Sequence, residues 1–335
     1  MKKKLMVFLL LFIMVLTTLI GCSKKESVNT KESQTVVLNE VAHSTFYAPM
    51  YVAIENDYFA EEGVDLVLNT GFGADKTMTA LLTGEADIGF MGPEATIYTY
   101  IGDMEDYAVN FAQLTQRAGN FIVARQADEE FKWEKLKGKN VLGGRAGGMP
   151  QMVFEYVLKK NNINPMEDLT IDQSIDFGST AAAFSGGQGD YTVEFEPHAT
   201  ALELKGDGYV VASVGEESGY FPYTAFCARK SYMEKNPEIM ESFTRALQKG
   251  MDFCKENSAE EIAKVIAPQF EETPIETTTA IVQRYYEQDT WKENLIFEED
   301  AFLLLQDILR EAGELEEEIP YEDLVTTEFA KSVAK

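Results

Sequence analysis

Four prolines punctuate this chain in the same way. Pro49, Pro93, Pro150 and Pro197 each open a stretch with helical spacing soon after a short strand-like run. Proline fixes φ and lacks an N–H, so it suits the first helical turn, where that N–H has no partner within the helix. The runs ahead of the prolines, at 35–38, 87–91, 140–142 and 191–193, are short, apolar or β-branched, and read as strands. Strand, proline-opened helix and next strand predict an α/β fold with mainly parallel sheets. Ligands of such sheets sit beyond the carboxyl ends of the strands, where the helices begin.

The intervening segments keep the alternation. Residues 64–69 read as a strand, and 75–83 as a helix with Met78, Leu81 and Leu82 inward, stopped by Gly84. Strands follow at 109–115 and 121–125. A second series then begins: a strand at 140–142, a glycine loop at 143–148, and a helix with Val153, Phe154, Val157 and Leu158 on its apolar face. Strands at 169–171 and 209–212 and a short helix at 181–184 complete it. The chain returns at 223–226. Beyond that the spacing is helical, in Met240, Phe243, Leu247, Met251 and Cys254, then in Phe302, Leu305, Ile308 and Leu309. These patterns predict a discontinuous lobe of residues 36–121 and 221–335, with a second α/β lobe, residues 122–220, inserted in it.

Charge and motifs narrow the function. The chain has 29 Lys+Arg against 56 Asp+Glu, a formal charge of −27, which argues against nucleic acid and against charge-driven docking on anionic lipid. Two histidines, His43 and His198, cannot make a His-rich metal site, and each reads as a satisfied structural residue. The sequence has no G-x-S-x-G, H-E-x-x-H, Walker or Cys–His pattern. The expectation is a binding protein with no metal, no cofactor and no catalytic residue. Of three cysteines, Cys227 and Cys254 read as buried free thiols, and Cys22 has a separate place.

That place is the end of an amino-terminal leader. Lys2, Lys3 and Lys4 precede an apolar core at 5–20, short for a spanning helix, which needs about 20 residues. Leu19-Ile20-Gly21-Cys22 resembles a bacterial lipobox, whose cysteine is diacylated and becomes the mature amino terminus. The reading is a signal peptide at 1–21, then a lipidated Cys22 and polar tether at 22–35.

The run FYAPMYVAIENDYFAEEGVDL at 46–66 resembles the first βα unit of solute-binding proteins of ABC importers for nitrate, sulfonates and thiamine-pyrimidine precursors. The likeness continues at LLTGEADIGFMGPEA and FEPHA and spans about 36–315. It implies a two-lobed periplasmic-binding-protein type II fold with hinge crossovers. It also implies a small-molecule ligand held between the lobes, and an ABC permease and ATPase as partners. The expected form is a monomer, lipid-anchored on the extracytoplasmic face of the cell membrane. An enzyme branch shares the fold, the fungal pyrimidine synthases, but their Cys-rich iron motif is missing here.

Candidate ligand residues follow from the strand ends. Ser44, Thr45, Phe46 and Tyr47 precede the first helix, where backbone amides are expected to point outward. Gly92, Pro93 and Glu94 hold the same position after the third strand. Phe46, Tyr47, Phe90 and Tyr223 are candidate walls or core. Gln113, Thr115 and Gln116 either reach a ligand or satisfy the crossover backbone. Arg145, in the glycine loop, either clamps an anion or lies in solvent. Glu94, Glu194 and Glu196 favour a ligand that donates hydrogen bonds, an amino-bearing heteroaromatic such as a thiamine pyrimidine precursor. The alternative ligand is an alkanesulfonate, nitrate or other small anion. Two acyl chains hold a protein on a bilayer at about 0.8 kcal/mol per buried methylene. Cys22→Ala is therefore expected to leave the membrane fraction or accumulate as unprocessed precursor, read by fractionation and amino-terminal sequencing.

Overall fold

Two five-stranded sheets organise the chain in the computed structural model, which describes residues 33–102, 104–144, 146–175 and 177–334. Cys22 and Arg145 lie outside the described residues. The first sheet uses β1 (Gln34–Glu40), β2 (Val64–Thr70), β3 (Ile88–Met91), β4 (Ala108–Thr115) and β10 (Thr224–Arg229). The second uses β5 (Asn120–Ala124), β6 (Asn140–Leu142), β7 (Thr170–Asp172), β8 (Tyr191–Phe195) and β9 (Tyr209–Ser213). Their orders are β2-β1-β3-β10-β4 and β7-β6-β8-β5-β9. In each sheet one strand runs against the other four: β10 is antiparallel to β3 and β4, and β5 to β8 and β9. These are the strands made directly after the chain crosses from one sheet to the other.

The prolines mark helix starts as their φ dictates. Pro49 and Pro150 lie in the first turns of α1 (Ala48–Glu55) and α4 (Met149–Lys160). Pro93 and Pro197 stand one residue ahead of α3 (Glu94–Ile101) and α5 (His198–Lys205). Between α1 and α3 runs α2 (Ala74–Thr83), ended at Gly84. Tyr51, Ile54 and Tyr58 have the i, i+3, i+7 spacing of one apolar helix face, but the helix does not run through them. Asp57 takes the left-handed conformation at φ 57°, which Asp tolerates, so α1 stops and Tyr58–Glu61 forms a separate turn.

The carboxyl-terminal third is helical, with α6 (Pro237–Glu256), α7 (Ala259–Ile266), α8 (Ile275–Glu287) and α9 (Glu299–Ala312). The helical spacing puts Met240, Phe243, Leu247, Met251 and Cys254 on one buried face of α6. Cys227 and Cys254 are free and buried, and burial pushes the Cys227 thiol up to about 12. Helix α6 crosses α1 at Gly250, where a Cβ would sit 2.2 Å from the Pro49 carbonyl oxygen and 3.0 Å from the Ala53 Cβ. Gly→Ala inside a helix gains up to about 1 kcal/mol of propensity. Overpacking against backbone costs about 1–3 kcal/mol. The clash wins, and Gly250→Ala is expected to lower the urea midpoint with an unchanged m-value, whereas a rise would mean that the two helices separate freely.

Candidate ligand-binding site

The amino-terminal half of the site is the turn that follows β1. Ser44 caps a 3₁₀ turn, Thr45–Tyr47, by accepting the Phe46 N–H at 3.2 Å. The Tyr47 N–H donates to the Ser44 carbonyl at 2.9 Å and the Ser44 N–H to the Tyr51 hydroxyl at 3.3 Å. The amides of Ser44, Phe46 and Tyr47, expected to face a ligand, are thus bonded within the protein, because the tight turn and its serine cap satisfy them locally. The Ser44 hydroxyl also donates to the Glu196 carbonyl at 2.9 Å, joining this turn to the second sheet.

Phe46 lies at the centre of a ring cluster. Its ring meets Tyr47, Phe195, Tyr223 and Tyr285 at centroid separations of 5.2, 5.8, 5.6 and 5.2 Å. Tyr47 packs edge-on against Phe90 at 4.5 Å, and Phe90 stacks on Phe226, its cross-strand partner in β10, at 4.2 Å. All four aromatic candidates therefore share one cluster, and Phe195 and Tyr285 join it. Phe46 and Phe90 are fully buried.

Glu40 and Glu94 lie close enough to the cluster to act on its phenols. Glu94, at the start of α3, folds its carboxylate over Gly92, where a Cβ would lie 2.0 Å from Glu94 Oε2. A side chain at this position would push the Glu94 carboxylate aside. Burial, then the charges of Glu40 and Glu94, push the Tyr47 phenol above its usual range. Burial, then Tyr47 and Glu94, do the same to Tyr223. Both phenols stay protonated beside Glu94. Glu194, on β8, is 1% exposed and takes the Thr192 hydroxyl at 2.6 Å on Oε1. Burial pushes its carboxyl up to about 7, against the downward pull of Thr192 and Thr180.

Glu196 differs. Its carboxylate accepts the Thr200 N–H and hydroxyl, each at 2.9 Å, and pairs with the Arg284 guanidinium. Burial still raises its pKa, with Arg284 pulling the other way. The crossover candidates are likewise engaged. The Thr115 and Thr224 hydroxyls bond at 2.6 Å, Gln113 Nε2 donates to the Thr115 carbonyl at 2.9 Å, and Gln116 Nε2 reaches the Asp289 and Trp291 carbonyls.

Five buried polar atoms here have no hydrogen-bond partner among the described residues: Thr45 Oγ1, Gln113 Oε1, Asn120 Oδ1, Glu194 Oε2 and the Tyr223 hydroxyl. Two of the five, Gln113 Oε1 and Asn120 Oδ1, can only accept, and Glu194 Oε2 does so whenever its carboxyl is ionised. The amide orientations are supported by bonds from the opposite atoms, Gln113 Nε2 to Thr115 O and Asn120 Nδ2 to Pro150 O.

Sequence reasoning missed several residues. Glu40 is fully buried and holds Tyr51 Oη at 2.5 Å, Thr70 Oγ1 at 2.8 Å and His43 Nδ1 at 2.9 Å. Its bond to Glu40 raises the His43 pKa. The signal was present: Val36, Leu38 and Glu40 alternate on the buried side of β1. Trp291, whose indole N–H donates to the Phe46 carbonyl at 2.8 Å, gave no local signal.

Comparison with known proteins bears on the family and the fold. The profile described as NMT1/THI5 like matches residues 44–261. A Bacillus subtilis (strain 168) protein named as a binding protein, YtlA, is 44% identical over 321 residues, 96% of this chain and 95% of its own length. The fold is similar to that of the alkanesulfonate-binding protein SsuA from Xanthomonas axonopodis pv. citri bound to MOPS, with TM-score 0.70, 16% identity, 88% of this chain and 99% of that one. It is also similar to that of the nitrate-binding protein NrtA from Synechocystis PCC 6803, with TM-score 0.60, 19% identity, 73% of this chain and 69% of that one.

Glu194 reports on the site without a ligand. Its folded pKa, about 7, lies above the ordinary 4.5 of a glutamate, so between those values the folded state keeps a proton that the unfolded state releases. Stability is full below the lower value and falls as pH rises through the upper one, by on the order of 3 kcal/mol for this group. Glu194→Gln is expected to lose that share of the decline. Melting curves of wild type and variant should converge near pH 4.5 and separate by pH 8, the variant melting higher. Parallel curves would contradict the assignment.

Proposed function

The chain belongs to the NMT1/THI5 like family, and on that premise we propose that it is the extracytoplasmic solute receptor of an ABC importer. It is a solute-binding protein of the ABC-importer type. In the proposed arrangement residues 36–121 with 221–335, and residues 122–220, are two lobes that close on a small molecule and present it to a permease driven by its ATPase. Cys22 carries the lipid that keeps the protein at the membrane. The relatives are named for binding, and the reading is a receptor and not an enzyme.

We infer further that the ligand is an amino-bearing heteroaromatic, similar to the pyrimidine precursors of thiamine. The balance of polar atoms carries this reading. Gln113 Oε1, Asn120 Oδ1 and Glu194 Oε2 are buried acceptors without a donor among the described residues, and each such atom costs about 1–3 kcal/mol until a donor reaches it. Amino groups on a flat ring supply donors, and the aromatic cluster around Phe46 suits its faces. Tyr47, Tyr223 and Glu94 would complete the polar edge. A sulfonate or nitrate would set its charge near Glu94 and Glu194, an unfavourable pairing in a dry site.

A second reading, a small anion, has in its favour that the two proteins of similar fold are an alkanesulfonate-binding and a nitrate-binding protein. At under one-fifth identity those likenesses speak for the fold alone. Calorimetry with an aminopyrimidine and with a short alkanesulfonate separates the two. The expected result is heat with the aminopyrimidine, weakened at least tenfold in Glu94→Gln or Glu194→Gln. Sulfonate binding with no aminopyrimidine heat, unchanged in both variants, would decide for the anion.

A further inference from the structure

Helix α8 touches both sides of the site. On the first side it packs against the Thr45–Tyr47 turn and against α7, which in turn packs on α1. Tyr285 of α8 meets the Phe46 ring at 5.2 Å. On the second side the Tyr285 hydroxyl donates to the Gly119 carbonyl at 2.9 Å and accepts the Glu196 N–H at 3.3 Å. Its neighbour Arg284 lays its guanidinium 5.3 Å from the centre of the Phe121 ring. One arm of that guanidinium pairs with Glu196, whose side chain is fully buried, and the other with Glu203 at 2.8 Å. Glu196 is also the residue whose carbonyl receives the Ser44 hydroxyl. A single dipeptide of α8 thus meets five residues of the segment 119–203, Gly119, Phe121, Glu196, Thr200 and Glu203.

We propose that Arg284 is the latch of the closed arrangement and, through Glu196, a positioning residue for the ligand site. This rests on the two-lobe reading given above. If the lobes part, α8 stays with α1 and α7, and Arg284 leaves Glu196 and Glu203. Two carboxylates and a guanidinium then regain water, which offsets part of the lost attraction, so the latch biases the equilibrium without locking it. Each charge-assisted bond at such a site shifts an equilibrium by roughly tenfold or more. Arg284 therefore sets how long a ligand is held while touching none of it. Its planar fork holds two carboxylates in a fixed geometry, which the flexible, shorter-reaching ammonium of a lysine reproduces only in part.

The test is the lobe-to-lobe distance in the full chain, measured by spin labels on exposed Glu129→Cys and Lys331→Cys. The native Cys227 and Cys254 are buried and shielded from the label. In ligand-free protein, Arg284→Met is expected to raise the ratio of long to short distances by roughly tenfold or more. Arg284→Lys and Glu203→Gln should each give a smaller rise, and Glu203→Gln should add nothing in the Arg284→Met background. If Arg284→Met does not fold, the Lys and Gln variants carry the same comparison. Distances that shift in wild type on adding the aminopyrimidine but keep their ligand-free ratio in every variant would overturn the latch alone. A single wild-type distance that no probe moves, neither aminopyrimidine nor alkanesulfonate, would overturn the two-lobe reading and the latch with it.

Discussion

Two threonine hydroxyls hold the architecture in register. The chain leaves the first sheet at Thr115 and rejoins it at Thr224, and these side chains bond to each other at 2.6 Å while the Thr224 N–H donates to Thr115 Oγ1 at 2.9 Å. Both residues are buried, and a buried hydroxyl without a partner costs about 1–3 kcal/mol. The outgoing and returning strands are therefore kept side by side. The pair sits at the open end of the antiparallel β4–β10 ladder, and next to it Tyr223 meets the Phe46 ring, so that residues from far-apart stretches of chain come together.

Much of the fold was legible because it is written in local rules. Proline chemistry announced the starts of α1, α3, α4 and α5, and period-3.6 spacing announced α6 and α9. Where the local signal was ambiguous, a competing local preference decided. The Asn56-Asp57 pair broke the first helix because Asp accepts positive φ. Ser44 turned its cap inward and consumed amides that a bare helix start would have offered to a ligand.

The candidate site was legible only on one side. Phe46, Tyr47, Glu94 and Glu194 stand at strand ends or helix starts, where α/β topology directs attention. Arg284, Tyr285 and Trp291 come from a helix and loop that no strand-end rule marks. They reach Glu196, Gly119 and Phe46 across 88, 166 and 245 residues of sequence. Nothing in a local window encodes such a meeting, because the helix spacing of 275–287 is satisfied by any apolar neighbour. Glu40 is the intermediate case, since strand alternation put it inside but could not name its partners.

The place of β10 has a consequence for how the chain comes to be made. It lies between β3 and β4, yet it is synthesised after the whole second sheet. Until residue 229 emerges, β3, all four residues of which are buried in the finished protein, offers an unpaired edge. So does β4, whose eight residues are likewise all buried. Edges of that kind recruit other chains. The nascent molecule thus carries an open slot of its own design for about a third of its length, and the strand that fills the slot is also the one that closes the path back.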